Sequence, residues 1–287
     1  MKFAVIGGDK RTVRLCELLH GDGHRVYTYA LEKAELPAEI PKAGCIQGCV
    51  YGCDCVILPV PAENNGLLLA PYSSEILPME DLVGALWPGQ LLCGGKFSDE
   101  TCGFAIDSGI HIEDLMRRRD YAVGNAALTA EGAIEILMRQ SEKGLLGSCV
   151  LITGWGRIGK ILSLRLAALG AEVAVAARRI EDRALAHALG LEALDYTELE
   201  CVIDGFDYVV NTVPERVISE GALCCAAADA FFLELASPPG GFDRNLAENI
   251  GLNAVAAPGL PGKCAPRAAA RLIMEAVYAV IEEQGDC

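Results

Sequence analysis

Three glycines at positions 154, 156 and 159 have the spacing of a dinucleotide-binding loop. They lie in the stretch TGWGRIGK, directly after an apolar run that predicts a strand and at the start of a pattern that predicts a helix. In such a loop the first glycine allows a tight turn, the second lets the backbone approach a pyrophosphate, and the third lets the helix pack closely on the strand. Amides of the first helical turn then face the phosphates, although a tight turn without a ligand is the alternative. The residues expected to contact the dinucleotide are Gly154, Gly156, Arg157, Ile158 and Gly159.

The end of the next predicted strand bears on which dinucleotide binds. This strand, Glu172–Ala177, is followed by Arg178 and Arg179, and no carboxylate stands at its tip. A carboxylate about 20 residues beyond the loop binds the ribose 2′-hydroxyl of NAD, whereas an arginine there accommodates the 2′-phosphate of NADP. The two arginines therefore favour NADP, with NAD as the alternative. A solvated turn is the other interpretation of the pair.

Three loops rich in glycine, proline and small residues follow later predicted strands, at 211–214, 236–243 and 257–263. Ligands of open α/β sheets bind beyond the carboxyl ends of the strands, so we expect these loops to line the nicotinamide and the substrate. Ordinary turns are the alternative. The residues assigned to the cofactor there are Thr212, Val213, Pro214, Ala236, Ser237, Pro258 and Gly259.

The chain opens with a second glycine turn, in MKFAVIGGDKR, where Gly7 and Gly8 follow a predicted strand and precede a predicted helix. Amides at such a helix start attract anions. Asp9 would repel a pyrophosphate, whereas Arg11 can bind a carboxylate through two parallel hydrogen bonds. We therefore interpret this turn as a substrate-side anion clamp rather than a second cofactor loop. The alternative is that Asp9 caps the helix and Arg11 lies at the surface.

Two successive runs of alternating strand and helix patterns must position these loops. Short apolar runs bounded by glycine and proline indicate parallel strands with helices on both faces. Polar or Pro/Gly/Cys-rich residues at 37–52 and 63–78 predict turns and a surface loop. The predicted strands are Phe3–Ile6, Arg25–Tyr29, Cys55–Val60, Gln90–Cys93, Cys149–Thr153, Glu172–Ala177, Asp207–Asn211, Phe231–Ala236 and Asn253–Ala256.

The predicted fold is α/β, with two doubly wound parallel-sheet domains, the second a Rossmann NAD(P)-binding domain, and a cleft between them. A long amphipathic pattern in GNAALTAEGAIEILMRQ predicts the helix that joins the two domains. The expected segments are a substrate and catalytic domain at 1–123, the interdomain helix at 124–145, the Rossmann domain at 146–262 and a C-terminal helix at 263–287 that packs back on the first domain.

Composition narrows the classes of function. The chain has 287 residues, 52% of them hydrophobic, and a net charge of -15, without a concentrated basic stripe. Such a chain folds into a globular core and is not expected to bind nucleic acid. Its apolar runs are shorter than the about 20 residues that a membrane span needs, and its N-terminus lacks the pattern of a signal peptide. We therefore expect a cytoplasmic protein without a membrane partner.

The 13 cysteines include a cluster at Cys45, Cys49, Cys53 and Cys55. Its spacing, C-x3-C-x3-C-x-C, differs from the C-x-x-C pairs typical of zinc and iron–sulfur sites. Thiols in apolar surroundings behave as small hydrophobic groups, and the cluster leads into a predicted strand. We therefore expect no metal site.

Seven segments, in order along nearly the whole chain, resemble the family of dipicolinate synthase A subunits, whose enzyme makes pyridine-2,6-dicarboxylate in spore-forming bacteria. The glycine loop alone also fits 2-hydroxyacid and alanine dehydrogenases. The combination of GGD-x-R with PGLPGK-x-AP is more specific to the family. The segments are VIGGDKR, GNAALTAEGAIEI, ITGWGRIGK, VAVAARR, NTVP, LASPPGGFD and APGLPGKCAPRAAA.

The resemblance implies oxidation of a dihydrodipicolinate-type intermediate to dipicolinate, with NAD(P)+ as hydride acceptor. It also implies a small dicarboxylate substrate and a partner chain, the flavoprotein-like B subunit of the same enzyme. The mother-cell cytoplasm during sporulation is the implied setting. We further expect a homo-oligomer within that complex.

A dicarboxylate substrate requires cations and amides, and its aromatisation requires loss of a hydride and a proton. Candidates for binding the carboxylates are the Gly7–Gly8 turn, Arg11 and Lys263. Asn125 and Thr129 are expected to orient the substrate, with ordinary helix capping as the alternative. The candidate proton acceptors and catalytic residues are Asp9, Glu131 and Lys263.

Two other functions compete with this one. A hydroxyacid-type dehydrogenase would use a catalytic histidine near the C-terminal loops, but His187 is the last histidine of the chain. An NADP-dependent dehydrogenase of another small carboxylate, or a non-catalytic nucleotide-binding regulatory subunit, would share the same glycine loop.

Overall fold

The computed structural model describes residues 1–140 and 144–285. It divides the chain into two compact units, unit 1 with Met1–Asn125 and Ala265–Cys287, and unit 2 with Ala126–Cys264. Each unit contains one parallel sheet with helices between its strands, so the predicted α/β class is confirmed. The helix predicted over 124–145 includes residues 141–143, which lie outside the described residues.

Unit 1 has a five-stranded parallel sheet in the order β2-β1-β3-β6-β7 and a separate two-stranded hairpin, β4-β5. Its strands are β1 (Lys2–Ile6), β2 (Arg25–Tyr29), β3 (Cys55–Ile57), β4 (Glu63–Asn64), β5 (Leu67–Leu68), β6 (Leu91–Gly94) and β7 (His111–Asp114). Its helices are α1 (Lys10–Gly21), α2 (Ile46–Val50), α3 (Met79–Gly84), α4 (Asp99–Asp107) and, continuing into unit 2, α5 (Arg119–Gln140), with a 3₁₀ turn at Leu115–Arg117.

Unit 2 has a six-stranded parallel sheet in the order β10-β9-β8-β11-β12-β13, the strand order of a Rossmann domain. The strands are β8 (Cys149–Thr153), β9 (Glu172–Ala176), β10 (Glu192–Leu194), β11 (Tyr208–Asn211), β12 (Phe231–Glu234) and β13 (Asn253–Ala256). The helices are α6 (Arg157–Ala168), α7 (Ile180–Ala188), α8 (Leu199–Val202), α9 (Glu220–Cys225), α10 (Arg244–Asn249) and α11 (Leu260–Cys264), with 3₁₀ turns at Tyr196–Glu198 and Ile203–Gly205.

The C-terminal helix α12 (Pro266–Gly285) belongs to unit 1 and packs on α1. Its apolar positions recur with helical spacing, so Ala270, Ile273 and Val277 enter one buried cluster with Phe3 of β1 and Leu19 of α1. Within the described ranges, 1–140 and 144–285, none of the helices combines the length and the apolar character needed to cross a bilayer.

Helix α5 uses glycines where other helices approach it. A Cβ added at Gly124 would lie 2.6 Å from Leu272 of α12, and one added at Gly132 would lie 2.9 Å from Leu260 of α11. Because real Cβ atoms do not approach that closely, these glycines permit the close packing of α5 within each unit.

Two segments expected to be turns or loop contain regular structure, and two strands, β7 and β10, were not predicted. Residues 37–52, expected to be turns, include helix α2, and the expected loop at 63–78 contains the β4-β5 hairpin, whose Asn65-Gly66 pair favours a two-residue turn. Strand β7 was not predicted, because it lies at the sheet edge, is only partly buried and lacks a continuous apolar run.

Candidate functional site

The glycine loop of unit 2 has a separate geometric reason for each glycine. Gly154 has a φ of +101°, and a Cβ there would lie 2.5 Å from Oγ1 of Thr212. A Cβ at Gly159 would lie 2.1 Å from the carbonyl oxygen of Gly154, so only glycine lets α6 pack this closely on the turn. A Cβ at Gly156 would meet no atom within 4 Å. The first and third glycines thus build the turn, and the second leaves an open approach to the backbone.

Helix α6 begins at this open approach. Gly156 is its N-cap residue, and no side chain caps the first turn. Uncapped amides at the start of a 12-residue helix carry partial positive charge and bind anions such as phosphate. Arg157 is exposed in this first turn, and Ile158 is partly buried.

A cavity of about 580 Å³ lies beside the loop, at the carboxyl ends of β10, β9, β8 and β11. This dinucleotide cavity collects seven of the residues predicted to bind the cofactor: Gly154, Gly156, Arg178, Arg179, Thr212, Val213 and Pro214. The loop geometry, the free helix terminus and this cavity fit a nicotinamide dinucleotide. The other predicted cofactor residues do not line it: Arg157, Ile158, Gly159, Ala236, Ser237, Pro258 and Gly259.

The two arginines after β9 differ in how much of their charge is already balanced. Arg179 makes an ion pair of 2.8 Å with Glu181 and lies 3.7 Å from Asp182. Arg178 has a side chain that is 79% exposed and lies 3.8 Å from Glu215. Arg178 is therefore the better placed of the two to meet an added phosphate group.

Three further residues that the sequence did not predict line the dinucleotide cavity: Tyr196, Trp155 and Arg216. Tyr196 follows β10, a strand of only three residues that the hydrophobic pattern did not reveal. Burial raises the pKa of its phenol to about 12, against a smaller opposing effect of Arg178. Because β10 was not predicted, no strand end pointed to Tyr196 in the sequence.

A buried polar network ties together the ends of β8, β11 and β12. Asn211, fully buried, accepts a hydrogen bond of 2.6 Å from Thr153 and donates one of 2.6 Å to Glu234. The Glu234 carboxylate also accepts bonds of 2.8 Å from the amides of Ala236 and Gly241. Since every bond in the network is buried or partly buried, it fixes the loop after β12 relative to the loop after β11.

A second cavity of about 390 Å³ lies beyond the carboxyl ends of β12 and β13, and Ala236 and Pro258 line it. Two of the residues predicted to bind cofactor are thus in this carboxyl-edge cavity rather than the dinucleotide cavity. Arg216 lines both. Ser237 and Gly259 line neither of the two.

The turn at the start of unit 1 has no comparable opening at its glycines. The amide of Gly7 donates to the Tyr29 carbonyl at 2.9 Å, and that of Gly8 donates to the Leu69 carbonyl at 2.8 Å. Gly8 has a φ of +98°, and a Cβ there would lie 1.9 Å from Oγ1 of Thr12. The two glycine amides, expected to bind an anion, are therefore already bonded to the chain.

Asp9 and Arg11 form a pair within the same turn. Asp9 caps α1, and its carboxylate accepts from Nε of Arg11 at 3.0 Å and from Nη2 at 2.8 Å. Burial of Asp9 acts to raise its pKa, but the hydrogen bonds and charge of Arg11 outweigh it, and the pKa lies below the ordinary value. Arg11 itself is only 8% exposed. The expected clamp is thus filled by the chain's own carboxylate, in an arrangement that combines a helix cap with a buried arginine.

The remaining substrate and catalytic candidates lie on α5 and α11. Glu131 is exposed and pairs with Arg165 at 3.1 Å, whereas Lys263 is exposed on α11 and forms no ion pair within the described part of the chain. Thr129 is buried and Asn125 partly buried, both on α5.

The four cysteines of the cluster do not share one environment, because Cys45 is exposed at the start of α2 and the other three lie in the interior. Cys49, Cys53 and Cys55 are buried, and Cys53 donates to the carbonyl of Cys49. Burial raises the pKa of Cys49 to about 12, so its thiol stays protonated. Over residues 1–140 and 144–285, no group of three or more His, Cys, Asp or Glu side chains is arranged to hold a metal ion.

Comparison with known proteins shows a family-model match in the N-terminal part and similarity to one kind of protein along the whole chain. Residues 2–116 match the model of the N-terminal domain of the dipicolinate synthase A subunit. The chain is 28% identical to the dipicolinate synthase A subunit of Bacillus subtilis (strain 168) over 286 residues, which cover 99% of this chain and 96% of that protein. The crystal structure of the B. subtilis protein superposes with a TM-score of 0.86, covering 100% of this chain and 98% of that one.

Two further solved structures bear on the fold. The dipicolinate synthase A subunit from Bacillus halodurans superposes with a TM-score of 0.86 at 26% identity, covering 97% of each chain. A transhydrogenase from Sinorhizobium meliloti shares the fold with a TM-score of 0.71 at 14% identity, covering 98% of this chain and 93% of its own. These likenesses confirm the resemblance that the motifs predicted: residues 2–116 match the family model of the N-terminal domain of dipicolinate synthase A subunits, and the chain is similar to those A subunits over its whole length.

Proposed function

We propose that the chain is the A subunit of a dipicolinate synthase and oxidises a dihydrodipicolinate-type intermediate to pyridine-2,6-dicarboxylate, with a nicotinamide dinucleotide as hydride acceptor. The observation that carries the proposal is the glycine loop, whose open position at Gly156 adjoins the dinucleotide cavity. The likeness to the B. subtilis protein over the whole chain supports the choice of reaction. NADP is proposed over NAD because Arg178 and Arg179, rather than a carboxylate, follow β9 at the cavity.

In the proposed reaction, a hydrogen leaves one ring carbon of the substrate as a hydride, taking the electrons of its C–H bond. A proton also leaves the substrate, and the ring becomes aromatic. The dinucleotide, when bound, accepts the hydride. Aromatisation supplies the driving force, so the chain must chiefly position the ring, exclude water and take up the proton.

For substrate binding we propose Arg11 in the turn of Gly7 and Gly8, with Asn125 and Thr129 orienting the ring. The amides of Gly7 and Gly8 bond to the Tyr29 and Leu69 carbonyls, so Arg11 is the group of this turn that meets the substrate. A substrate carboxylate must compete with Asp9 there, because Asp9 already accepts from Nε and Nη2 of Arg11. An exchange of this kind is chemically reasonable, since an incoming carboxylate offers Arg11 the same two acceptor oxygens.

The proton is proposed to pass to Asp9, Glu131 or Lys263. Asp9 and Glu131 are engaged in ion pairs, whereas Lys263 forms none with the described residues. The proton acceptor can be identified from the pH dependence of the oxidation rate in three single variants: Asp9→Asn, Glu131→Gln and Lys263→Met. Loss of the true acceptor removes one limb of the pH–rate profile.

The proposal includes a partner. The relatives are named as the A subunit of their enzyme, which supports a second, flavoprotein-like B subunit with which this chain assembles. A homo-oligomer within the complex, and the mother-cell cytoplasm during sporulation as its setting, belong to the same proposal.

The test uses the purified full chain, NADP+ or NAD+, and freshly generated aldol precursor, with and without the B subunit. Nicotinamide reduction and dipicolinate formation are followed together. The matched control is Gly156→Val, whose added side chain enters open space and blocks the approach to the helix terminus. Both signals should rise in step, faster with the partner, and both should vanish in the control while its circular dichroism is unchanged.

A dinucleotide that binds without either signal under any combination of cofactor and partner would overturn the proposed reaction. The regulatory subunit or the dehydrogenase of another carboxylate would then take its place. Equal activity in the Gly156→Val control would instead place the dinucleotide elsewhere.

A further inference from the structure

We infer that the carboxyl-edge cavity of unit 2 binds a carboxylate of the substrate through Arg216. This inference rests on the proposed function and adds a contact that the glycine loop and the unit 1 turn do not supply. The cavity of about 390 Å³ lies beyond the ends of β12 and β13, where ligands of doubly wound sheets bind. Its volume lies within the range of small-molecule sites, about 300–1,000 Å³.

The position of Arg216 relates this cavity to the cofactor. Arg216 lines the dinucleotide cavity as well as the carboxyl-edge cavity, so the two spaces are neighbours within unit 2. Hydride transfer requires the reacting atoms to come within about 3–3.5 Å, so a substrate must bind next to its dinucleotide. A carboxylate held by Arg216 satisfies that requirement.

Arg216 is the arginine of this lining whose charge is not already paired within the described residues. Its side chain makes no ion pair or hydrogen bond with residues 1–140 and 144–285, whereas Arg244 lies 3.3 Å from Glu248. Two carboxylates also line the cavity, and both are engaged: Glu234 accepts from Asn211 and two loop amides, and Asp243 caps α10 by accepting from the amide of Leu246. Arg216 is therefore the cation with hydrogen-bonding capacity to spare, in contrast to Arg11.

The backbone beneath Arg216 is fixed to the loop after β12. The amides of Val217 and Ile218 both donate to the Gly241 carbonyl at 2.9 Å, and the Gly241 amide donates to Glu234. The guanidinium thus projects from a segment tied to the buried polar network, which lowers the cost of ordering it on a ligand.

The walls of the cavity suit a flat ring. Three exposed proline side chains line it and offer apolar surface without competing hydrogen-bond donors, namely Pro238, Pro239 and Pro258, whereas Phe242 in the lining is only 2% exposed. A guanidinium binds a carboxylate through two parallel hydrogen bonds in one plane. The combination fits a planar ring acid, with its carboxylate on Arg216 and its ring against the apolar wall.

The test is calorimetric binding of pyridine-2,6-dicarboxylate to the full chain, with and without saturating NADPH. Arg216→Gln should weaken binding by about tenfold or more, as expected when a charged hydrogen-bonded pair is lost. Arg216→Lys should recover part of the affinity through charge alone. Arg139→Gln, which removes a similarly exposed arginine that pairs with Glu135 on α5, should change nothing. The affinity for NADPH should change by less than about threefold in all variants.

Three results overturn the inference: equal affinity in wild type and Arg216→Gln, no binding by the wild type in either state, or equal losses for NADPH and the dicarboxylate. The last would assign Arg216 to the dinucleotide. Failure of the proposed function has a different signature, in which the chain binds no NADPH although dicarboxylate binding still depends on Arg216.

Discussion

The turn after β1 and the turn after β8 both carry the chain from the first strand of a parallel sheet into a helix, and both contain glycines. In unit 1 the amides of Gly7 and Gly8 bond to backbone carbonyls, and Asp9 caps the helix and holds Arg11. In unit 2 the N-cap residue Gly156 faces open space, and no side chain caps the helix. One turn has its anion-binding groups satisfied internally, and the other leaves them available.

The difference shows what a glycine pattern can and cannot predict. Glycine permits a positive φ or a close approach, and both turns use it in that way, at Gly8 and at Gly154. Whether amides remain for a ligand depends on the carbonyls and carboxylates that lie next to them in the fold. A single carboxylate at the N-cap position, Asp9, caps the helix and occupies Arg11, so an external carboxylate must displace it.

The largest effects are expected when one side chain is added to each turn, and they test whether the two turns have different roles. Gly8→Ala should destabilise unit 1 by about 2–4 kcal/mol, because it forces a left-handed backbone on alanine and places a Cβ against Thr12. Gly156→Val should leave stability unchanged and weaken dinucleotide binding by about a hundredfold. Hydrogen exchange of the α1 peptides measures the first effect, and titration with NADP+ measures the second.

Each variant serves as the control for the other. The contrast between the turns is wrong if Gly8→Ala lowers dinucleotide affinity while leaving α1 protected, or if Gly156→Val unfolds α6. Either result would mean that the open and filled turns are not functionally distinct.

Much of the fold was accessible from sequence because the central strands are buried along their length. β8 begins with four apolar residues and β11 with three, before the polar last residues Thr153 and Asn211, and the predicted bounds of β2 and β8 agree with those observed. β7 and β10 could not be predicted in the same way, because charged residues interrupt both strands and neither has an apolar run. The edge strand β13 is of similar length and exposure but is apolar at three of its four positions, and it was predicted. The hydrophobic pattern weakens where only one side of a strand is covered.

The residues of the candidate site also fall into two groups: those that a local motif predicts and those that only the fold brings together. Gly154, Gly156 and Gly159 form one local motif, so sequence spacing was sufficient to locate them. Tyr196 and Arg216 approach the cavity from loops that are distant in sequence, and only strand order brings them there. The pairing of Asp9 with Arg11 is local, but side-chain geometry decides between a clamp and a cap, and spacing alone does not.

A second prediction tests whether the pair of Asp9 and Arg11 stabilises the turn of unit 1. Asp9→Asn keeps an N-cap acceptor but leaves the buried Arg11 without a charged partner, so unit 1 should lose about 1.5–3 kcal/mol of stability. The pKa of Asp9 is lowered from 3.8 in the folded state, so its contribution is complete above that value and is lost as the pH falls through the lower, folded value. Urea unfolding between pH 2 and about 7 should show the acid-dependent loss in wild type and less of it in the variant. An identical pH dependence in both proteins would mean that the pair contributes nothing.

The smallest expected effect concerns the open turn and the two arginines beside it. If the dinucleotide cavity accepts a 2′-phosphate, we expect Arg178 to bind it, because carboxylates balance the charge of Arg178 less than that of Arg179. Arg178→Gln should therefore weaken NADP+ binding by about tenfold, equivalent to about 1.4 kcal/mol, and leave NAD+ binding unchanged. Arg179→Gln should have a smaller effect on NADP+, because Glu181 and Asp182 already balance that guanidinium. Titration of each variant with both dinucleotides measures the difference. Equal losses for NADP+ and NAD+ would show that Arg178 supports the loop rather than the phosphate, and the preference for NADP would then have no basis in this turn.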